Sequence, residues 1–243
     1  MIDMSEFEES KWKNKQSALE FIENADMYIL ERQRLFAIMK SLYKHFLADN
    51  NQTVKVLELG CGDGRVTHEL LKVDANLEGT LIDGSSEMIE NAKNRLKSYP
   101  GLKFIQTTFQ ELINSNSLSE NFDFVVSSLA IHHLQEDEKK VLFEYVYNHL
   151  NSDGFFLNID VVRAPTESLE KWYLKLWKEW IMENEIKTNQ LESFQNIPDQ
   201  YKNNPDNNPD TLENQLKLLK FTGFNNVDCY YKYGIFSVYG GQK

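Results

Sequence analysis

Two cysteines in 243 residues are too few for a disulfide framework, and Cys61 and Cys229 read as reduced thiols. CxxC is absent. His132 and His133 are adjacent rather than spaced as ligands on one helix face, so no structural metal is expected. Basic residues are the minority: 26 Lys and Arg against 37 Asp and Glu give a formal charge of −11 and a pI near 5.0. That balance disfavours non-specific binding to nucleic acid or to anionic membranes and leaves room only for a local basic patch. No run reaches the ~18 apolar residues of a membrane span. The opening MIDMSEFEES lacks the apolar segment of a secretory signal. No GxSxG elbow supports a hydrolase. These absences predict a cytoplasmic chain, with nucleic acid and membrane not expected as partners and homodimerisation left open.

What is present centres on VKVLELGCGDGR, residues 54–65. Val54, Val56, Leu57 and Leu59 suit a strand buried on both faces. Gly60, Gly62 and Gly64 follow, interleaved with Cys61 and Asp63, and Val66 to Leu71 begins a helical pattern. Strand, glycine turn and helix together bring a ligand against backbone amides. A second strand, Leu77 to Asp83, ends in a carboxylate about 20 residues past the turn, the separation expected for a group that hydrogen-bonds a ribose. The glycines are spaced GxGxG rather than the GxGxxG of dinucleotide sites. Glu58 and Asp63 also place negative charge where a pyrophosphate would lie, whereas a cationic ligand tolerates them.

ELGCGDGR followed by IDGSSEMIENA resembles the first two motifs of the class I S-adenosylmethionine-dependent methyltransferases. SSL at 127–129 followed by His132-His133 resembles the fourth motif of their small-molecule and tRNA-wobble members. The C-terminal stretch from Thr211 resembles the end of the small-molecule type, and the likeness covers residues 26 to 243. It implies an α/β fold with a Rossmann-like, seven-stranded, mostly parallel sheet, a C-terminal antiparallel hairpin and helices on both faces. It also implies a small-molecule methyl acceptor as partner and S-adenosyl-L-methionine as cofactor, the latter held by Arg32, Glu58, Gly60, Cys61, Gly62, Asp83, Gly84, Met88, Thr108, Phe109, Ser127 and Ser128. Thr108 stands where members often carry an adenine-binding aspartate. In ADMYILERQRL, Arg32 or Arg34 would meet the methionine carboxylate.

Along the chain, residues 5 to about 24 read as a polar helix anchored by Phe7, Trp12, Leu19, Phe21 and Ile22. Residues 26 to 47 read as an amphipathic helix with Leu35, Ile38, Met39, Leu42 and Phe46 on one stripe. After Asp83, Ser85 or Ser86 caps a helix whose buried stripe is Met88, Ile89, Ala92 and Leu96. Strands follow at 102–107, 122–129 and 155–162, with a helix over 136–150 carrying Val141, Leu142, Tyr145, Val146 and Leu150 inward. Alternating strands and helices predict a parallel sheet. Ser168 to Ile181 reads as a helix whose Trp172, Tyr173, Trp177 and Trp180 are buried. Residues 188–210, rich in Asn, Asp, Gln and Pro, read as a long loop. A last helix, Thr211 to Phe221, buries Leu212, Leu216 and Leu219. The expected division is a single domain: an N-terminal helical cap (1–50), a cofactor core (51–163), an acceptor lid (164–210), and a closing helix and hairpin (211–243).

Methyl transfer from a sulfonium needs alignment, exclusion of water and, for a protonated acceptor, a base. His132, His133 and Asp160 are the candidates because they follow strands at the carboxyl edge of the sheet, where open α/β folds bind ligands. The lid loop is expected to be mobile, and replacing 199–209 with a Gly/Ser linker to leave stability nearly intact. Two other functions stay open: a tRNA-modifying methyltransferase, and a cofactor-binding regulatory protein without turnover.

Overall fold

The computed structural model describes residues 15–48, 52–115, 118–189 and 193–243. Phe7, Trp12 and the side chain of Phe21 lie outside the described part.

Helices α1 (Lys15–Tyr28) and α2 (Arg32–Phe46) precede the first strand. The second helix starts at Arg32 rather than at 26, because Glu31 adopts a left-handed conformation (φ 52°) and breaks the run. Then come β1 (Lys55–Leu59), α3 (Arg65–Leu71), β2 (Glu78–Asp83), α4 (Ser86–Leu96), β3 (Leu102–Gln106), α5 (Phe109–Ser115), β4 (Phe122–Ser128) and a 3-10 turn (Ile131–His133). The chain continues with α6 (Glu136–His149), β5 (Leu150–Val161), α7 (Glu167–Thr188), α8 (Ile197–Asn203), α9 (Leu212–Thr222), β6 (Asn225–Tyr233) and β7 (Phe236–Gln242).

The seven strands form one sheet in the order β3-β2-β1-β4-β5-β7-β6. The first five run parallel, and β7 pairs antiparallel with both β5 and β6. Strand alternation divides the interior in two. Val56, Phe124, Val126 and Leu157 pack with residues of α2, α3, α4 and α7. Leu57, Leu59, Val125 and Phe156 pack on the other face with Leu112, Leu142, Val146 and Leu219 of α5, α6 and α9. Helices therefore cover both faces, as expected. Strand order reverses between β1 and β4, and their carboxyl ends open the crevice at that switch point.

Several expectations change in detail. Strand β5 begins at Leu150, so Asn151 to Gly154 lie inside an irregular strand rather than ending a helix. Val141 and Phe46 are exposed, whereas Phe143, Phe36 and Tyr43 take buried places on their helices. Of the four aromatics on α7 only Trp177 is buried, and Trp172 is 53% exposed. On α9, Leu219 is buried with Gln215, while Leu212 and Leu216 are partly covered. The 188–210 stretch is not all loop, because α8 occupies Ile197–Asn203.

Candidate active site

The chain leaves β1 through three left-handed glycines, with φ of 66° at Gly60, 52° at Gly62 and 75° at Gly64. At Gly60 the neighbour is the protein itself: an added Cβ would lie 2.4 Å from the Ala130 Cβ and 3.4 Å from the Phe109 ring. At Gly62 it would meet nothing within 4 Å among the described residues. Gly62 is thus where the turn presents bare backbone to open space.

The turn uses its amides internally. Cys61 N–H donates to Ile82 O (2.8 Å), Gly64 N–H to Cys61 O (2.9 Å) and Gly62 N–H to Asp83 Oδ2 (2.8 Å). Few donors are left for a pyrophosphate, which weighs against a dinucleotide more strongly than the charge argument does. Asp63 is ion-paired with Arg95 on α4, which also donates to its carbonyl. Glu58 is buried and accepts from the Thr67 amide and hydroxyl. Burial pushes its carboxyl up to about 8, against those hydrogen bonds, so Glu58 fastens α3 to β1. The Cys61 thiol is packed in the core, and burial pushes it well above the ordinary thiol range.

Asp83 ends β2 and bridges two elements: Oδ2 holds Gly62, and Oδ1 accepts from Ser85 N–H (2.8 Å) ahead of α4. Each oxygen keeps a further lone pair. Burial raises its carboxyl above the ordinary range, opposed by the two amides. Gly84 lies beside it at the head of α4, and Met88 is buried one turn on. Thr108 caps α5: its hydroxyl accepts from Glu111 N–H (3.1 Å) and the Glu111 carboxylate accepts from Thr108 N–H (2.8 Å). Ser127 is fully buried and its hydroxyl donates to Leu59 O (2.8 Å), while Ser128 is partly exposed at the strand end. Arg32 donates to Asp26 Oδ1 (2.8 Å) and lies over the Phe36 ring; Arg34 is exposed.

Across the crevice, Leu129 is left-handed (φ 54°), a conformation that costs a side-chain-bearing residue about 1–2 kcal/mol. It turns the chain so that His132 meets β5. His132 N–H donates to Asp160 Oδ2 (3.0 Å), and His132 Nδ1 lies 2.6 Å from Asp160 Oδ1. Burial alone would raise the Asp160 carboxyl. His132, its hydrogen bond and the Val161 amide pull it below the ordinary range. An ionised carboxylate only accepts, so Nδ1 carries a proton, and the neutral form of the ring then has its lone pair on Nε2. The two histidines diverge in role: their rings pack at 4.0 Å, but His133 Nδ1 donates to Asp206 O (3.0 Å).

That contact belongs to a strap. Asn208 N–H donates to His132 O (2.8 Å), the Asn208 side chain to His133 O (3.2 Å), and the buried Lys139 of α6 to Asn208 O. Asp206 and Asn208 are therefore hydrogen-bonded to the histidine turn and to α6, within the stretch where composition predicts a mobile loop. Upstream on α8, Tyr201 packs 5.6 Å from Trp177 and 6.4 Å from His132, ring to ring. Trp177 is held by its indole N–H donating to Tyr28 O (2.6 Å), which joins α7 to α1.

Behind the His132–Asp160 pair runs a buried polar chain. Asn158 donates to Asp160 Oδ2 (3.3 Å) and to the Tyr239 hydroxyl (2.8 Å), Tyr239 donates to Gln215 (3.1 Å), and Gln215 donates to Asp210 (3.3 Å). These residues, with Tyr201, Lys139 and Asn208, were not among the expected site. The signal for α8 was legible: Pro198 stands in the first turn with Asp199 after it, both helix-start features. Among the described residues no cluster of His, Cys, Asp and Glu has the makings of a metal site, and no helix is long and apolar enough to cross a membrane.

The sheet order, the glycine turn and the acidic end of β2 define a Rossmann-like fold. Residues 57–156 match the family described as "Methyltransferase domain". This match and this fold liken the chain to the class I S-adenosylmethionine-dependent methyltransferases, whose cofactor is S-adenosyl-L-methionine. A carboxy-S-adenosyl-L-methionine synthase of Nautilia profundicola is 25% identical over 205 residues, covering 82% of this chain and 80% of that protein. A malonyl-[acyl-carrier protein] O-methyltransferase of Bacillus anthracis is 25% identical over 161 residues, 66% of this chain and 56% of that one. The solved structure of an O-methyltransferase family protein from Burkholderia thailandensis shares the fold with a TM-score of 0.66 at 13% identity, over 97% of this chain and 62% of that one.

Proposed function

We propose that the chain transfers a methyl group from S-adenosyl-L-methionine to a small-molecule acceptor, with His132 as the base. The observation that carries this reading is the 2.6 Å His132–Asp160 pair at the carboxyl edge of the sheet, across the crevice from the glycine turn. The cofactor half fits the ligand: open space at Gly62 admits it, and the spare lone pairs of Asp83 accept from ribose hydroxyls. Gly84, Met88 and Phe109 complete that half. The bound cofactor supplies a methyl group on a positively charged sulfur.

The protein's own work is placement and proton removal. Asp160 fixes the His132 tautomer and stabilises the imidazolium once Nε2 has taken the acceptor's proton. Asn158 and Val161 hold Asp160 in turn. The strap and α7 cover the acceptor and keep water out. On this reading residues 1–50 cap the site, 51–163 bind the cofactor, 164–210 cover the acceptor and 211–243 close the sheet.

A second reading is favoured by the Nautilia relative, which covers most of this chain: the cofactor itself is the molecule modified, by carboxylation. Methyl-labelled S-adenosylmethionine incubated with size-fractionated lysate separates the readings. Label moving to metabolites supports the proposal, and label moving to RNA revives a tRNA substrate. Label staying on a cofactor of increased mass supports the second reading, and unchanged cofactor means binding without turnover.

A further inference from the structure

Asn158, Tyr239 and Gln215 are polar side chains, each no more than 2% exposed. Tyr239 sits in the apolar cluster with Phe156, Leu142 and Leu219, where phenylalanine would fill the same space. Burying such polar groups is costly unless each is paired. Asn158 stands directly opposite Tyr239 across β5 and β7, and Asp160 lies two residues along on the same face.

The Asp160 carboxylate is saturated. Oδ1 takes hydrogens from His132 Nδ1 (2.6 Å) and Val161 N–H (2.9 Å). Oδ2 takes them from His132 N–H (3.0 Å) and Asn158 Nδ2 (3.3 Å). Four donors thus occupy the four lone-pair sites of one carboxylate. Asn158 uses both its amide hydrogens, one on Asp160 and one on the Tyr239 hydroxyl (2.8 Å). Its own Oδ1 is buried with no partner among the described residues. Turning the amide over would offer Oδ1 the Tyr239 hydrogen but set it against Asp160, acceptor facing acceptor. The unmet carbonyl accompanies the orientation that keeps an N–H on Asp160.

The direction of the Tyr239 hydrogen selects that orientation. Gln215 Oε1 takes it (3.1 Å), so Tyr239 offers Asn158 only lone pairs. Burial and the charge of Asp160 push the phenol well above its ordinary range, so it stays a hydroxyl. Gln215 donates in turn to Asp210 Oδ2 (3.3 Å), two residues past the Asn208 whose amide lies on His132 O (2.8 Å). The line closes into a ring: from the histidine turn through β5, β7 and α9 to residues 210 and 208, and back to the same turn.

We propose that Tyr239 is a positioning residue for His132. By accepting from Asn158 it holds the Asp160 carboxylate and, through it, the hydrogen on His132 Nδ1 that leaves Nε2 free to take a proton. Tyr239 acts through two other side chains, not on the reacting atoms. The catalytic use of that tautomer rests on the methyl-transfer reading above; the tautomer itself does not.

The test is nitrogen-15 NMR of the full chain labelled at its five histidines, with the His132 signals assigned by their loss in His132→Asn. In the wild type the neutral His132 ring should carry its hydrogen on Nδ1 and none on Nε2. Tyr239→Phe keeps the ring and removes the hydroxyl. The two His132 nitrogen signals should then move towards each other as the second tautomer becomes populated. Gln215→Leu removes the acceptor that directs the Tyr239 hydrogen and should move them the same way; it decides the question if Tyr239→Phe does not fold. Unchanged His132 signals in a folded variant overturn the inference even where the melting temperature falls, because Tyr239 is then a structural partner only. A wild-type His132 protonated on Nε2 overturns it without any variant. Methyl transfer to lysate metabolites should drop about 3- to 10-fold in Tyr239→Phe, the loss of one neutral hydrogen bond. Full transfer there beside a large loss in His132→Asn also overturns the positioning role. Full transfer in His132→Asn removes the functional reading instead and leaves the NMR result to decide what Tyr239 holds.

Discussion

The half of the site proposed to hold the cofactor is stitched between neighbours in sequence: Gly62 to Asp83, Cys61 to Ile82 and Ser85 to Asp83 are all closed within one strand–helix–strand unit. The half proposed to meet the acceptor joins His132, Asp160, Tyr201 and Asn208, which come from four separate elements and meet only after the sheet and its insert have assembled. A local site tolerates change elsewhere in the molecule, whereas a composite one depends on every element that brings its parts together. The two halves should therefore respond to mutation in separable ways.

The largest separation is expected from His132→Asn. Asparagine keeps a donor toward Asp160 but lacks Nε2, so turnover should fall about 10²–10⁴-fold. Affinity for S-adenosylhomocysteine, measured by calorimetry, should stay level. A matching loss of cofactor affinity would break the division.

Next in size is exchange of residues 199–209 for a Gly/Ser linker. The fastening of Asn208 and Asp206 to the histidine turn means that stability should fall too, not remain nearly intact as the composition suggested. Several hydrogen bonds of about 1 kcal/mol each are lost, worth roughly 5 °C or more in melting temperature at this size. Turnover should drop about 10²-fold through misplacement of the acceptor. An unchanged melting curve would mean that the strap is only laid over the turn.

Asp83→Asn should act on the other half. Loss of hydrogen bonds to a charged acceptor should weaken S-adenosylhomocysteine by about 1.5–3 kcal/mol. Because Asp83 also holds the Gly62 and Ser85 amides, the melting temperature should fall as well. Affinity equal to wild type would remove Asp83 from the cofactor site.

The paired substitutions Gly60→Ala and Gly62→Ala sharpen the picture within that half. Both suffer the left-handed backbone, about 1–2 kcal/mol, but only Gly60→Ala also collides with Ala130. Gly60→Ala should be the less stable protein, and Gly62→Ala the one whose defect lies mainly in ligand affinity. Denaturant titration and calorimetry on both would expose the reverse order.

A further effect, read as a pH dependence of stability, concerns Glu58. Its carboxyl is raised from 4.5 to about 8 in the folded protein, chiefly by burial. Between these values the folded state holds a proton that the unfolded chain has released, so stability falls as pH rises from 4.5 through about 8. Glu58→Gln keeps an acceptor for Thr67 and should flatten that decline, read from melting temperatures across the window. An identical slope in both proteins would show that Glu58 does not titrate there.

The same contrast explains what could be read from residues alone. Glycines, a strand-end carboxylate and the cap at Ser85 are local signals, and they lie where expected. His132 and Asp160 were legible as strand ends, but their pairing was not, since it depends on the register of β4 against β5 and on the turn at Leu129. Tyr201 and Asn208 were hidden because their stretch is polar and proline-rich, which reads as loop, while the contacts that fasten it come from elsewhere in the fold. The aromatics of α7 misled in the opposite direction. Helical spacing marks a stripe, but the partner surface decides how much is covered, and here it covers Trp177 and leaves Trp172 in water.

The strap is tied down largely through main-chain atoms: Asn208 by its amide and its carbonyl, Asp206 by its carbonyl. A knot made with backbone is indifferent to most side chains around it. Side chains on α8 can therefore change identity while the knot holds and the histidine–aspartate pair stays where it is.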